Sequence, residues 1–289
     1  MKQINLIISS TLVIIGITLT TNLSAHNGQN QLPEEYRLSH NSHDSSEKLE
    51  LHVNNNKWPE CAIELDSSLT QSDFRKFGQE TYSFLYFKNV NSPKTIGKWK
   101  FEISLTYVLT GKIDDEKPHW NNTFTHPDST HWLVDESKRL AFPHLNFRLG
   151  LSERIDVGGY IIYLPSITNY GFAGLDFRYM AINDTTKKMF LTNRLAYSTL
   201  LATDDLNYNI LSNEISFGKS IGLFTPYAAL GGSIGLMQEK TDKVDLKNEW
   251  IPLVSGIVGF EFNYKVINVG AQANFSKLNM YTFKIGCRF

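Results

Sequence analysis

The 289-residue chain is short of three things: net charge, cysteine and long apolar runs. Its 28 Lys and Arg nearly cancel 29 Asp and Glu. A nucleic-acid binder would need an excess of Lys and Arg along one face, so no nucleic-acid partner is expected. Beyond the first 25 residues no stretch approaches the roughly 20 apolar residues of a spanning helix. The mean hydropathy of −0.25 is likewise too polar for a helical membrane protein. There are two cysteines, Cys61 and Cys287. They allow one bridge, tying the N-terminal segment to the end of the chain. Alternatively they are unrelated small apolar residues, the better supported reading, since Cys287 occupies an apolar position and a free Cys behaves as a small hydrophobe.

Aromatic residues and glycine are plentiful, with 18 Phe, 13 Tyr and 19 Gly. The start of the chain reads as a secretory signal over residues 1–25. Lys2 supplies the positive charge, Ile4 to Leu19 the apolar run, and Ser24-Ala25 the cleavage site. Residues 26–65 are rich in Asn, Ser, His, Glu and Lys, too polar to offset their ordering entropy, and are expected to be largely disordered. Residues 66–97 read as a short helix plus an apolar segment, either at the periplasmic rim or as a plug. Leu69, Phe74 and Phe77 share a helix face, Asp66 or Ser67 serves as N-cap, and Gly78 as stop. The run Tyr82–Phe87 is too continuously apolar for a half-wet strand; with a partner it would bring the strand count to twelve.

Residues 98–289 show sustained period-two alternation, the signal of strands with one apolar face. Trp99, Phe101, Ile103, Leu105, Tyr107 and Leu109 alternate with Lys100, Glu102, Ser104 and Thr106, and the pattern returns about nine times. Every second connection is short, and two of the others are long. The expected fold is all-β: a transmembrane antiparallel up-and-down β-barrel of about ten strands, with eight to twelve allowed. An even count places both barrel ends, and the N-terminus, in the periplasm. At the C-terminus Tyr281, Phe283, Ile285, Cys287 and Phe289 are apolar at every second position. This resembles the recognition strand that outer-membrane barrels present to their assembly machinery.

Several segments together resemble an uncharacterised family of proteobacterial outer-membrane barrel proteins. They are Leu69–Arg75 with Tyr82–Phe87 and Ser92-Pro93, then Gly150–Val157, Gly174–Tyr179, Phe224–Ala228 and Tyr281–Phe289. The resemblance implies a barrel with a shared N-terminal helix-plus-apolar segment. It implies no activity and no catalytic residue.

Three constellations bear on chemistry. The alternate strand positions place Lys100, Glu102, Arg148, Asp156, Asp176, Arg178, Arg194, Glu214, Glu261, Lys284 and Arg288 toward the lumen. In a narrow barrel they form a polar plug of ion pairs or line a small pore for solutes or ions. The long connection Lys112–Arg139 holds His119, His126 and His131, the acids Asp114, Asp115, Glu116, Asp128 and Asp135, and the aromatics Trp120, Phe124 and Trp132. Its spacing fits no compact metal motif, and its tryptophans suit the headgroup level. His40 and His43, with His26 and His52 nearby, sit on the polar tail and would bind metals weakly. His144, the one strand histidine, points inward. The expected function is therefore non-enzymatic, with no cofactor and no metal: an outer-membrane barrel that is structural or a narrow pore, with membrane lipids and the assembly machinery as partners. The alternatives are a surface ligand-binding barrel acting through its loops, and an outer-membrane hydrolase using residues 112–139.

Overall fold

A computed structural model describes residues 63–86, 90–114, 117–123, 139, 141–163 and 171–289. Two helices, α1 (Gln71–Leu85) and α2 (Pro118–Asn121), accompany ten strands: β1 (Phe101–Thr110), β2 (Ala141–Gly150), β3 (Ile155–Tyr163), β4 (Gly171–Asp184), β5 (Met189–Leu201), β6 (Leu206–Lys219), β7 (Phe224–Glu239), β8 (Glu249–Tyr264), β9 (Ile267–Phe275) and β10 (Met280–Arg288). Each strand pairs antiparallel with its sequence neighbours, and β10 pairs with β1 to close the barrel. That closing pairing runs from Glu102 opposite Arg288 to Thr110 opposite Met280. Closure leaves no edge strand, which a sheet in hydrocarbon requires, because every backbone N–H and C=O must find a partner.

The alternation that predicts the strands sorts side chains inside out. Leu230 is 71% and Val254 74% exposed, whereas Asp156 and Arg178 are 0% and 1% exposed. Leu105, Phe147, Leu175, Tyr197, Ile215, Val258 and Phe283 join the exposed apolar surface. A water-soluble protein does not display an apolar belt of this extent. Its natural solvent is lipid, and the closed antiparallel architecture with this belt is that of an outer-membrane β-barrel.

The two ends of the barrel differ. At the turn end, residues 151–154, 185–188, 220–223 and 265–266 connect the strands in two to four residues each. Left-handed backbone at Lys188, Gly222 and Lys265 tightens three of these turns. The first strand starts and the last strand finishes at this end. The connections after β1, β3, β5, β7 and β9 leave from the loop end, where the described residues include 111–114, 117–123, 202–205, 240–248 and 276–279.

The N-terminal segment departs from expectation in three ways. The helix does not stop at Gly78 but continues to Leu85. Gly78 is there because the barrel wall comes close: a Cβ would overlap the Ile251 side chain and lie 2.7 Å from Met237 Cε. The N-cap is Thr70, whose hydroxyl accepts the Asp73 N–H and donates to the Asp73 carboxylate at 2.7 Å. Asp66 instead folds a local turn, its Oδ1 accepting both the N–H and the hydroxyl of Ser68. Finally, Tyr82–Leu85 belong to the helix rather than to a strand or an extended run; Phe87 lies outside the described residues. Phe74, Phe77 and Leu85 are buried along one side of α1, at the spacing of a helical stripe.

Candidate functional site

The candidate site is the barrel interior, which α1 and residues 90–97 run through from the loop end to the turn end. At the loop end Glu64 N–H donates to the Thr123 carbonyl and Asp66 N–H to the Asn122 carbonyl. Leu65 N–H donates to Asp205 Oδ2 at 3.0 Å. Lys243 pairs with Glu64, and Arg75 with Glu249 at 3.1 Å. The Ser68 hydroxyl and N–H hold the Asp66 carboxyl below the ordinary carboxylate range.

One turn further in, Trp120 packs edge-to-face on Phe77 at 5.4 Å and donates its indole N–H to Glu80 at 2.6 Å. Trp120 is thus buried over α1 rather than at the headgroup level, and the neighbouring His119 is buried with it, 3.3 Å from Glu80. The described part of the first long loop therefore folds inward as a lid on the helix.

Between the loop end and the middle of the barrel, tyrosines from the wall bind the helix backbone. The Tyr208 hydroxyl donates to the Gly78 carbonyl at 2.8 Å, and the Tyr160 hydroxyl to the Leu85 carbonyl at 3.1 Å. Leu85 ends the helix and its carbonyl has no helical donor, so the Tyr160 phenol satisfies it while its own buried hydroxyl gains a partner. His144 is buried and stacks on Tyr160 at 5.2 Å.

Charged side chains take over toward the turn end. Arg194 donates to Glu214 at 2.6 Å, and the Tyr86 hydroxyl donates to the same carboxylate at 3.0 Å. Arg178 donates to the carbonyls of Asn91 and Ser92, with its Nε 3.8 Å from Asp176. Lys284 lies 3.0 Å from Glu102 and 3.1 Å from Glu261, and also donates to the Asn91 side chain. Arg288 reaches Glu102 through two nitrogens and Glu261 at 2.8 Å. Arg148 donates to Asp156 at 2.5 Å, and Asp156 also accepts the Ile96 N–H.

Ten of the eleven residues expected to face the lumen thus point inward. Arg148, Arg178, Arg194, Lys284 and Arg288 balance Glu102, Asp156, Asp176, Glu214 and Glu261 one for one, the condition under which charges can be taken out of water at all. The eleventh, Lys100, is exposed. The parity that would carry it inward fails because β1 begins at Phe101, after a reversal in which Gly97 and Trp99 both adopt positive φ.

Sequence reasoning singled out Tyr82–Phe87 and Ser92-Pro93 but gave no wall partner to Tyr86, Asn91, Ser92 or the backbone of Gly78, Leu85 and Ile96. Asn91 and Ser92 are small and polar and gave no period-two or helical signal. Tyr281, Phe283, Ile285 and Phe289 are exposed on the outer face of β10, as is the free thiol of Cys287. Cys61, His26, His40, His43, His52, Asp115, Glu116, Phe124, His126, Asp128, His131, Trp132 and Asp135 lie outside the described residues, as do the signal and the polar tail up to position 62. Among the described residues no group of three His, Cys, Asp or Glu is close enough to hold a metal ion.

No protein-family profile and no curated protein sequence matches this chain. Solved structures do. Ail, the attachment invasion locus protein of Yersinia pestis, is 13% identical over 66% of this chain and 99% of its own, with a TM-score of 0.30. An outer membrane channel from Pseudomonas putida F1 is 8% identical over 70% of this chain and 100% of its own, with a TM-score of 0.42. The translocator domain of the autotransporter NalP from Neisseria meningitidis is 8% identical over 72% of this chain and 91% of its own, with a TM-score of 0.37. At these values no function passes from them to this chain.

Proposed function

We propose that this chain is a structural outer-membrane barrel held shut by its own N-terminal segment, and neither an open pore nor an enzyme. One observation carries the reading: α1 and residues 90–97 occupy the lumen and are hydrogen-bonded to the wall at every level, from Tyr208 through Tyr160 and Glu214 to Glu261 and Asp156. A barrel of about ten strands has little interior to spare, and here a helix fills it. The resemblance to the uncharacterised family of outer-membrane barrels, with its shared N-terminal segment, accords with this.

Passage of solutes or ions would require the segment to leave. That would strip three interior cations, Arg178, Arg194 and Lys284, and three anions, Asp156, Glu214 and Glu261, of part of their hydrogen-bonding, at a cost of order 1–3 kcal/mol for each polar group left unpaired. The hydrolase alternative loses a candidate in His119, which is packed under Trp120. With no catalytic group assigned, the short turns face the periplasm, the loops face outward, and β10 supplies the signal read by the assembly machinery.

Planar-bilayer recording tests the reading. Refolded wild-type protein is expected to give no stepwise current, and a variant lacking residues 66–96 to conduct. Wild-type steps as large as those of the deletion variant would overturn it.

A further inference from the structure

The direction of the plug has a consequence for where the chain goes. Residues 64–66 are bound to the loop end, through Thr123, Asn122 and Asp205. Residues 78 and 83 meet the wall on its loop-end half, at Tyr208 and at Ser276 and Leu278, and residues 85–86 meet it farther in, at Tyr160 and Glu214. Residues 91–96 meet it near the turn end, at Lys284, Glu261 and Asp156. The series has one direction: the chain enters the lumen at the loop end and leaves it at the turn end, where Gly97 and Trp99 reverse it into β1. The lengths suffice. Helix α1, at 15 residues, spans about 22 Å at 1.5 Å per residue. Residues 90–97, bent at Pro93 and Lys94, add at most about 26 Å, against a hydrocarbon core of about 30 Å.

We propose that the polypeptide crosses the membrane inside its own barrel, as an eleventh spanning segment, so that residues 63–68 stand at the cell surface while β10 ends on the periplasmic side. This puts the start of the lumenal segment on the side opposite to the expected periplasmic N-terminus. The proposal rests on the sealed-barrel reading and on the rule that short turns face the periplasm and long loops the exterior. Contacts at both ends and in the middle make the crossing a resting state: a chain caught in transit would have no reason to match Tyr86 to Glu214, Ser92 to Glu261 and Ile96 to Asp156.

The test is thiol labelling in a background carrying Cys61→Ala and Cys287→Ala, with a maleimide-linked polymer too large to pass the outer membrane. Single cysteines are introduced at three exposed positions: Ser67 before the helix, Asp242 in a loop, and Thr185 in a turn. The expected result is that Ser67→Cys and Asp242→Cys label on intact cells, and Thr185→Cys only after the outer membrane is permeabilised. Labelling of Asp242→Cys on intact cells with Ser67→Cys protected until permeabilisation would overturn the crossing. Labelling of Thr185→Cys on intact cells with the other two protected would invert the barrel and overturn the surface position of residues 63–68. Wild-type conductance in bilayers would instead remove the seal on which the proposal rests, a failure distinguishable from either labelling result.

Discussion

Ser92 gives both its backbone N–H and its hydroxyl to one carboxylate oxygen of Glu261, at 3.2 and 2.5 Å, while the other oxygen holds Lys284 and Arg288. A single barrel side chain thus ties the plug to the interior charge network. Glu261→Gln leaves two buried cations with Glu102 as their remaining carboxylate. The expected cost is about 3–5 kcal/mol. Ser92→Ala removes one hydrogen bond to a charged group, worth about 1.5–3 kcal/mol. The temperature at which the folded band converts to the unfolded band on a gel should fall in that order. Adding Lys284→Met to Glu261→Gln restores the charge balance and should recover part of the loss.

Gly150 is fixed by a close approach. A Cβ there would run into the Gly97 carbonyl oxygen and lie 2.8 Å from the Gly97 carbonyl carbon, and backbone cannot rotate aside. Gly150→Ala is expected to cost at least the 1–3 kcal/mol typical of overpacking. Gly232→Ala, with nothing within 4 Å of the new methyl, is the control. It should be neutral or slightly stabilising in the same gel assay.

What could be read from residue order alone divides along a physical line. Strands β1 to β10 were legible because a lipid-facing belt imposes strict alternation on each of them, and one charged parity identified the inside. The plug was legible as a short helix plus an apolar segment, with the periplasmic rim left open as its alternative place. Gly78 reads as a helix stop in isolation, and only the proximity of Ile251 and Met237 gives it another role. Lys100 shows the same limit: parity is a property of a strand, and two left-handed residues just before β1 end it. The threading direction has no local signature, since it depends on contacts more than a hundred residues apart, such as Leu65 with Asp205.

The start of α1 carries a pH dependence. The Thr70 hydroxyl lowers the Asp73 carboxyl from its ordinary value of 3.8. The folded value lies below the unfolded one, so this contribution is complete above the unfolded value and is lost as pH falls through the folded one. Thr70→Ala should raise the Asp73 titration midpoint toward 3.8, as followed by carboxyl carbon NMR. Loss of the cap should also cost about 1 kcal/mol at neutral pH.

Phe289 closes the seam. It exchanges both backbone hydrogen bonds with Phe101, at 3.0 and 2.8 Å, and the two rings stack at 4.9 Å. Phe289→Ala keeps the backbone pair and loses the stack, about 0.5–1.5 kcal/mol. Deleting Phe289 loses both. The heat-modifiable fraction recovered from outer membranes should fall modestly for the substitution and further for the deletion. Equal recovery of all three chains would contradict a role for the last residue in closing or delivering the barrel.

The central claim, that the N-terminal segment occupies the lumen, is tested most directly by a cross-link. The Ser83 hydroxyl on α1 lies 3.1 Å from the Ser276 hydroxyl at the loop end of β9. In the background with Cys61→Ala and Cys287→Ala, the Ser83→Cys, Ser276→Cys pair is expected to form a disulfide in membranes under mild oxidation. The product would show a reductant-reversible shift on a denaturing gel. Two freely alkylated thiols in a barrel that remains heat-modifiable would place the helix outside the lumen and contradict the account.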